Sequence, residues 1–228
     1  MNNVIAIDGP AGAGKSTLAR LLARKLKYRY LDTGAMYRAV TWLALRENID
    51  LDNIQGLTSL ANNIDIEFSP PSGDRKGRIY VNGNDVTEEI RTPLINKNVS
   101  KVARVKGVRD AMVRQQRKLA QGGHIIIDGR DIGTRVVPDA EFKFFITASL
   151  EERARRRYTE LKEKGTGVNF QEVKAEIARR DKIDSERECS PLTKPEDAFL
   201  IDTTGMSIDE VLTRVINIIR TGGQDLNE

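Results

Sequence analysis

The sequence predicts an α/β protein: a parallel sheet with helices on both faces. Three observations carry that expectation. Short, near-continuous apolar runs alternate with longer amphipathic stretches along most of the 228 residues, the pattern of strands buried on both faces and joined by helical crossovers. The first run, VIAID at 4–8, passes through a glycine-rich turn straight into a helical pattern. The alternation breaks once, near the middle, where two strand-like segments follow each other across a loop of Pro, Gly, Ser and Asp.

Val4–Asp8 is rich in β-branched residues and reads as the first strand. Ser16–Leu26 follows as a helix with Leu18, Leu21, Leu22 and Leu26 at helical spacing. Tyr30–Asp32 is a short second strand and Gly34–Arg46 a second helix. His124–Asp128, Phe142–Thr147 and Ala198–Asp202 are three further strands. Ser207-Ile-Asp-Glu210 is a capping box opening a last helix, whose inner side carries Val211, Leu212, Val215, Ile216 and Ile219. In the middle, Ile64–Ser69 and Arg78–Val81 flank PPSGDRKG and read as an inserted antiparallel hairpin. A helical region over about 92–121 leads back to the main body.

Composition narrows the function classes. Hydrophobic residues make up 39% and charged residues 31%, ordinary for a globular protein. A net charge of +4 suits an anionic ligand, but nothing resembles a basic tail or a nucleic-acid arm. Cys189 is the single cysteine and His124 the single histidine. An intrachain disulfide is thereby excluded, and a Cys/His metal site is out of reach. His124 reads as a strand-end residue. No apolar run approaches the roughly 20 residues of a membrane span. MNNVIAIDG has neither a basic n-region nor a long apolar segment, so no signal peptide is expected and the cytoplasm is the default.

The turn after the first strand is Gly9-Pro10-Ala11-Gly12-Ala13-Gly14-Lys15-Ser16-Thr17, a match to G-x-x-x-x-G-K-[ST]. That pattern arises by chance in roughly 1% of chains this long at ordinary glycine frequencies, and a strand before it with a helix after it is the confirming context. Glycines let backbone N–H groups crowd around phosphate oxygens, and the helix N-terminus adds its positive end. Lys15 would reach the β- and γ-phosphates, and the Ser16 hydroxyl suits Mg²⁺. Asp128, ending a later strand, is the candidate acidic residue near that metal. Arg130 and Asp131 follow at once. A bare hydrolytic switch does not require them, whereas an acceptor site could use an arginine for a second phosphate and a carboxylate for an amino group. A strand-end ion pair is the plainer alternative.

Glu151-Glu-Arg-Ala-Arg-Arg-Arg157 supplies arginines for a lid over the phosphates, or else a helix surface paired to Glu151, Glu152 and Glu160. RRDKIDSER, at 179–187, places Arg180, Asp184 and Arg187 on one face if it is helical throughout. A solvated salt-bridge face is the competing reading.

Together GPAGAGKST (9–17), LDTGAMYR (31–38), the inserted hairpin, IDGRDIGT (127–134), ERARRR (152–157), RRDKIDSER (179–187) and DTT (202–204) resemble the bacterial-type cytidylate kinases of the P-loop nucleoside monophosphate kinase family. The resemblance covers nearly the whole chain. It implies a P-loop kinase core at about 1–60, 120–150 and 190–228, an inserted NMP-binding lobe at about 61–110 and a short helical lid at about 151–170. It implies ATP with Mg²⁺ as donor and CMP or dCMP as acceptor, giving CDP or dCDP. Gly9 to Thr17 would bind ATP, with Ser16 and Asp128 toward the metal. Arg38, Arg130 and Arg187 would bind the acceptor's phosphate, and Arg180 and Asp184 its sugar. Ser100, Arg109 and Asp131 would read the cytosine edge with Thr33 close by. Lys15, Arg130 and lid arginines such as Arg153 and Arg157 would act on the transferring group. A monomer with no nucleic-acid or membrane partner is expected. Another small acceptor, such as UMP, AMP or shikimate, is the rival within kinases. A P-loop regulatory or nucleic-acid-binding protein is the rival outside them, but the chain lacks aromatic stacking platforms and an extended basic stripe.

Overall fold

The computed structural model describes residues 3–69, 77–163, 165 and 167–223. Most of the loop expected between the hairpin strands, 70–76, lies outside the described residues, as do 164 and 166 of the expected lid and the last five residues. The chain divides into two compact units, one within 1–30, 122–186 and 191–228, the other within 31–121 and 187–190.

The first unit is built on a five-stranded sheet. In chain order its strands are β1 (Val4–Asp8), β2 (Arg29–Asp32), β6 (Ile125–Asp128), β7 (Phe142–Thr147) and β8 (Phe199–Asp202). Their spatial order is β2-β6-β1-β7-β8. The pairs β1–β6, β1–β7 and β7–β8 are parallel, as near-continuous apolar strands require. Every residue of β1 and β6 is buried. Successive side chains point to opposite faces, so both faces of the sheet centre are covered. On one face Ile5, Ile7, Ile126, Phe144, Ile146 and Ile201 pack with Leu18 and Leu22 of α1 (Lys15–Leu26) and Val211, Val215 and Ile218 of α8 (Ile208–Thr221). The capping box forms as written in the sequence: Ser207 N–H donates to Glu210 at 2.7 Å, and the Ser207 hydroxyl accepts from the Glu210 amide at 3.3 Å.

Two more helices belong to this unit, α6 (Leu150–Glu163) and α7 (Phe170–Glu186). They enclose a small core of Ala154, Val173 and Ile177, flanked by Tyr158 and Phe170 edge to face. A single helical face through RRDKIDSER is not what forms. Helix α7 stops at Glu186, and the Arg187 Nε instead donates to the Ser190 carbonyl at 2.6 Å in the irregular segment beyond it.

The second unit holds α2 (Thr33–Arg46), α3 (Ile54–Asn63), a three-stranded antiparallel sheet of β3 (Ile66–Ser69), β4 (Arg78–Val81) and β5 (Asn84–Asp85), and helices α4 (Pro93–Ala103) and α5 (Lys106–Ala120). The expected hairpin pairs Ile66 with Val81 and Ser69 with Arg78. Strand β5 is an addition: Asn82 and Gly83, at φ 48° and 77°, turn β4 back on itself, the Asn-Gly signal of a tight hairpin. Helix α3 is another, opened by Asn53, whose side chain accepts from the Gly56 amide at 2.9 Å. The helical region expected over about 92–121 forms as two helices, parted where Val105 turns extended. His124 stands just before β6 with φ 47°, and its carbonyl accepts from the Arg29 amide at 2.8 Å.

Candidate active site

The glycine loop joins β1 to α1. A Cβ at Gly9 would lie 1.9 Å from the Ile146 carbonyl oxygen of β7, so only glycine lets the loop leave the sheet there. Gly14 stands at the N-cap of α1 with φ 89°, a left-handed turn that brings the chain into the helix. Lys15 is buried and folds back to donate from Nζ to the Pro10 carbonyl at 2.6 Å. The Ser16 hydroxyl donates to Asp128 Oδ2 at 2.7 Å, and the Tyr30 hydroxyl to Asp128 Oδ1 at 2.8 Å. Two hard oxygen ligands, a hydroxyl and a carboxylate, therefore meet at the mouth of the loop. Among the described residues, no group of three or more His, Cys, Asp or Glu side chains is placed to hold a metal ion by itself.

A second cation stands close by. Arg130 donates from Nε to Asp184 Oδ2 at 2.8 Å and from Nη1 to its neighbour's carbonyl, Gly129 O, at 3.0 Å. Burial works against the Arg130 charge, but the carboxylates of Asp184 and Asp128 outweigh it and raise its pKa. Lys15 is displaced the other way. Burial first, then the charge of Arg130, pull its pKa well down, against the carboxylates of Asp128, Asp8 and Asp184. A buried lysine and a half-buried arginine beside a glycine loop at a helix N-terminus suit an anion.

Of the four lid arginines, two stay on the surface of α6. Arg155 pairs with Glu152 at 3.1 Å, and Arg157 with Glu160 at 2.7 Å. Arg153 goes further. It is buried, donates to the Ala148 and Ala11 carbonyls at 2.9 and 3.0 Å, and pairs with Asp181 of α7. Asp181 also accepts from the Ala11 amide at 3.3 Å, so α6 and α7 are both tied to the phosphate loop. Arg156 holds Glu152 and reaches the Thr203 hydroxyl and carbonyl at 2.9 and 2.6 Å. Its Nη1 lies 3.7 Å from where a Cβ on Gly14 would be. Sequence reading singled out neither Asp181 nor Tyr30, and it left open which of the four arginines turns toward the loop. The DTT segment was the only sign that Thr203 had a partner.

Arg180 lies one turn before Asp184 on α7, and Asp131 and Asp184 are both buried. In the second unit Thr33 opens α2 and is buried, and Arg38 pairs with Asp32 at 2.9 Å. Arg91, also unforeseen, comes within 3.9 Å of the same carboxylate. Ser100 is buried on α4. Arg109, 1% exposed, sits 5.3 Å over the Tyr37 ring and donates to the Ala103 carbonyl at 3.1 Å. Arg187 is held at the Ser190 carbonyl.

A parallel sheet and a glycine loop opening onto a helix N-terminus, with Lys15 buried in that loop, define a P-loop fold. The comparisons are more specific. The cytidylate kinase family profile matches residues 5–221, and the chain belongs to that family. It is 55% identical to a cytidylate kinase of Caldanaerobacter subterraneus subsp. tengcongensis over 216 residues, 95% of this chain and 94% of that one. A cytidylate kinase of Bacillus velezensis is 55% identical over 94% and 95%. A solved structure of an uncharacterized protein from Eubacterium ventriosum ATCC 27560 shares the fold, with a TM-score of 0.54 at 15% identity over 97% and 99% of the two chains.

Proposed function

We propose that the protein transfers the γ-phosphoryl group of ATP to CMP or dCMP, giving ADP and CDP or dCDP. Membership of the cytidylate kinase family supports the reaction. The observation that carries its chemistry is the glycine loop at the N-terminus of α1, with Lys15 buried in it and the Ser16 hydroxyl bonded to Asp128 at 2.7 Å. Phosphoryl transfer asks mainly for positioning and charge stabilisation. Residues 9–17 hold the donor phosphates on backbone amides, Lys15 neutralises charge on the transferring group, and Arg130 orients the acceptor's phosphate. That phosphate attacks through an oxygen already deprotonated near neutral pH, so no general base is assigned.

On the same reading Arg38 and Arg187 share the acceptor phosphate with Arg130. Asp184 and Arg180 take its sugar. Asp131 accepts from the exocyclic amine of cytosine, with Ser100, Arg109 and Thr33 beside it. Residues 31–121 then form the acceptor lobe and α6 the lid, from which Arg153 is the better-placed lid arginine because it already reaches the loop backbone at Ala11. Mg²⁺ fits Ser16 and Asp128 by donor chemistry: the ion takes one or two protein oxygens plus substrate phosphates rather than an all-protein cage. When bound it neutralises charge on the β- and γ-phosphates. No helix of the described residues is long and apolar enough to cross a membrane, and we place the enzyme in the cytoplasm as a monomer.

The test is release of ADP from ATP·Mg²⁺ with CMP, dCMP, UMP, AMP, GMP, shikimate or no acceptor. Turnover dependent on CMP or dCMP, with UMP far weaker, is expected. ADP release indifferent to the acceptor would refute the proposal.

A further inference from the structure

Arg130 and Asp131 are the only residues between two anchor points, and both anchors come from the end of β1. On one side the Gly129 amide donates to the Ile7 carbonyl at 3.0 Å, continuing the parallel ladder. On the other, the amides of Ile132 and Gly133 donate to Asp8 Oδ1 and Oδ2 at 2.9 and 2.8 Å. The Asp131 carbonyl is fixed in turn by the Arg135 and Val136 amides at 2.9 and 3.2 Å. Asp8 is 1% exposed, and the residue after it is Gly9, the first of the phosphate loop.

A carboxylate buried at a strand end is costly. Burial drives the Asp8 carboxyl up to about 6, ahead of the opposing pull of its two backbone hydrogen bonds, with the Asp131 charge pushing the same way. A neutral apolar side chain would avoid that cost and still fill the strand. What it lacks is a pair of acceptor oxygens. An ionised carboxylate offers two, whereas an amide offers one acceptor and a donor.

We propose that Asp8 is a positioning residue for acceptor recognition: its two oxygens hold the Ile132 and Gly133 amides and so fix Arg130 and Asp131 relative to the phosphate loop that starts one residue later. This rests on the reading of Arg130 and Asp131 as acceptor contacts. One strand end then sets the geometry of the donor loop and of the acceptor-reading pair.

Asp8→Asn keeps the shape but turns an NH₂ toward a backbone N–H. Steady-state kinetics should show KM for CMP raised about tenfold or more and the preference for CMP over UMP cut by a similar factor, since small misplacements of orienting groups cost up to about a hundredfold. KM for ATP should stay within about threefold. An equal rise for ATP and CMP would make Asp8 a general scaffold residue and overturn the proposal. Asp131→Asn, measured in parallel, reports on the acceptor reading itself. If it impairs CMP use while Asp8→Asn does not, the proposal fails and the reading stands. Amide hydrogen exchange of the unaltered protein tests the two anchoring hydrogen bonds independently of the kinetics. Protection of Ile132 and Gly133 comparable to that of β6 is expected, and fast exchange at either amide overturns it.

Discussion

Lys15 and Arg130 carry opposite pKa displacements for one reason: burial works against both charges, but Arg130, 21% exposed, has a carboxylate, Asp184, bonded to it. Removing the lysine should therefore abolish chemistry without harming the fold. Lys15→Ala should lower kcat/KM by about a hundredfold or more while leaving the urea midpoint unchanged or higher. Loss of activity together with loss of structure would contradict the account. Asp8 gives a pH prediction. Its carboxyl titrates at about 6 in the fold against an ordinary value of 3.8, so the folded protein binds this proton more tightly. Its contribution to stability is fully present below pH 3.8 and is lost as pH rises through 6, by about 3 kcal/mol. Unfolding free energy compared between the unaltered protein and Asp8→Asn should show that difference shrinking or reversing across the window. A pH-independent difference would contradict it. The loop residues, Ser16 and Asp128 were legible because their chemistry is written in contiguous motifs. Asp8 and Asp181 were not, because each acts on a partner distant in the chain, 124 residues away in the case of Asp8 and Ile132, and no local pattern records such a contact.

At the scale of elements, the strands of the main sheet could be read nearly to the residue, since a buried parallel strand is an apolar run with clear ends. Helix α3 and strand β5 went unread. The first is short, with an Asn cap and only three buried side chains, and the second is two residues long, so neither presents a full period. The end of α7 was misjudged because charge spacing continues past Glu186 while the backbone does not. That end bears on function: Asp184, near it, is the Arg130 partner, so Asp184→Ala should raise KM for CMP severalfold or more by leaving a half-buried arginine without its carboxylate. An unchanged KM would count against the pairing. Elsewhere the capping box of α8 should be worth about 1 kcal/mol, and Ser207→Ala should lower stability by that amount in urea unfolding with no change in KM for either substrate. Altered kinetics would mean that α8 reaches the site.

For the whole molecule, the account makes one unit the home of the donor loop, the lid helices and Arg130–Asp131, and the other the carrier of Arg38, Ser100 and Arg109. A modest excess of positive charge, +4, suits two anionic substrates without implying a polyanion partner. Folding and binding are linked, so ATP·Mg²⁺ at about a hundredfold above its Kd should stabilise the protein by about 2.7 kcal/mol, read as a rise in Tm, and CMP should add to it. The central claim is transfer to an acceptor phosphate, and the most direct measurement follows the fate of the γ-phosphate. With ATP labelled at that position and CMP present, the label should appear in the β-phosphate of CDP. Label found only in inorganic phosphate, at a rate indifferent to CMP, would contradict the account.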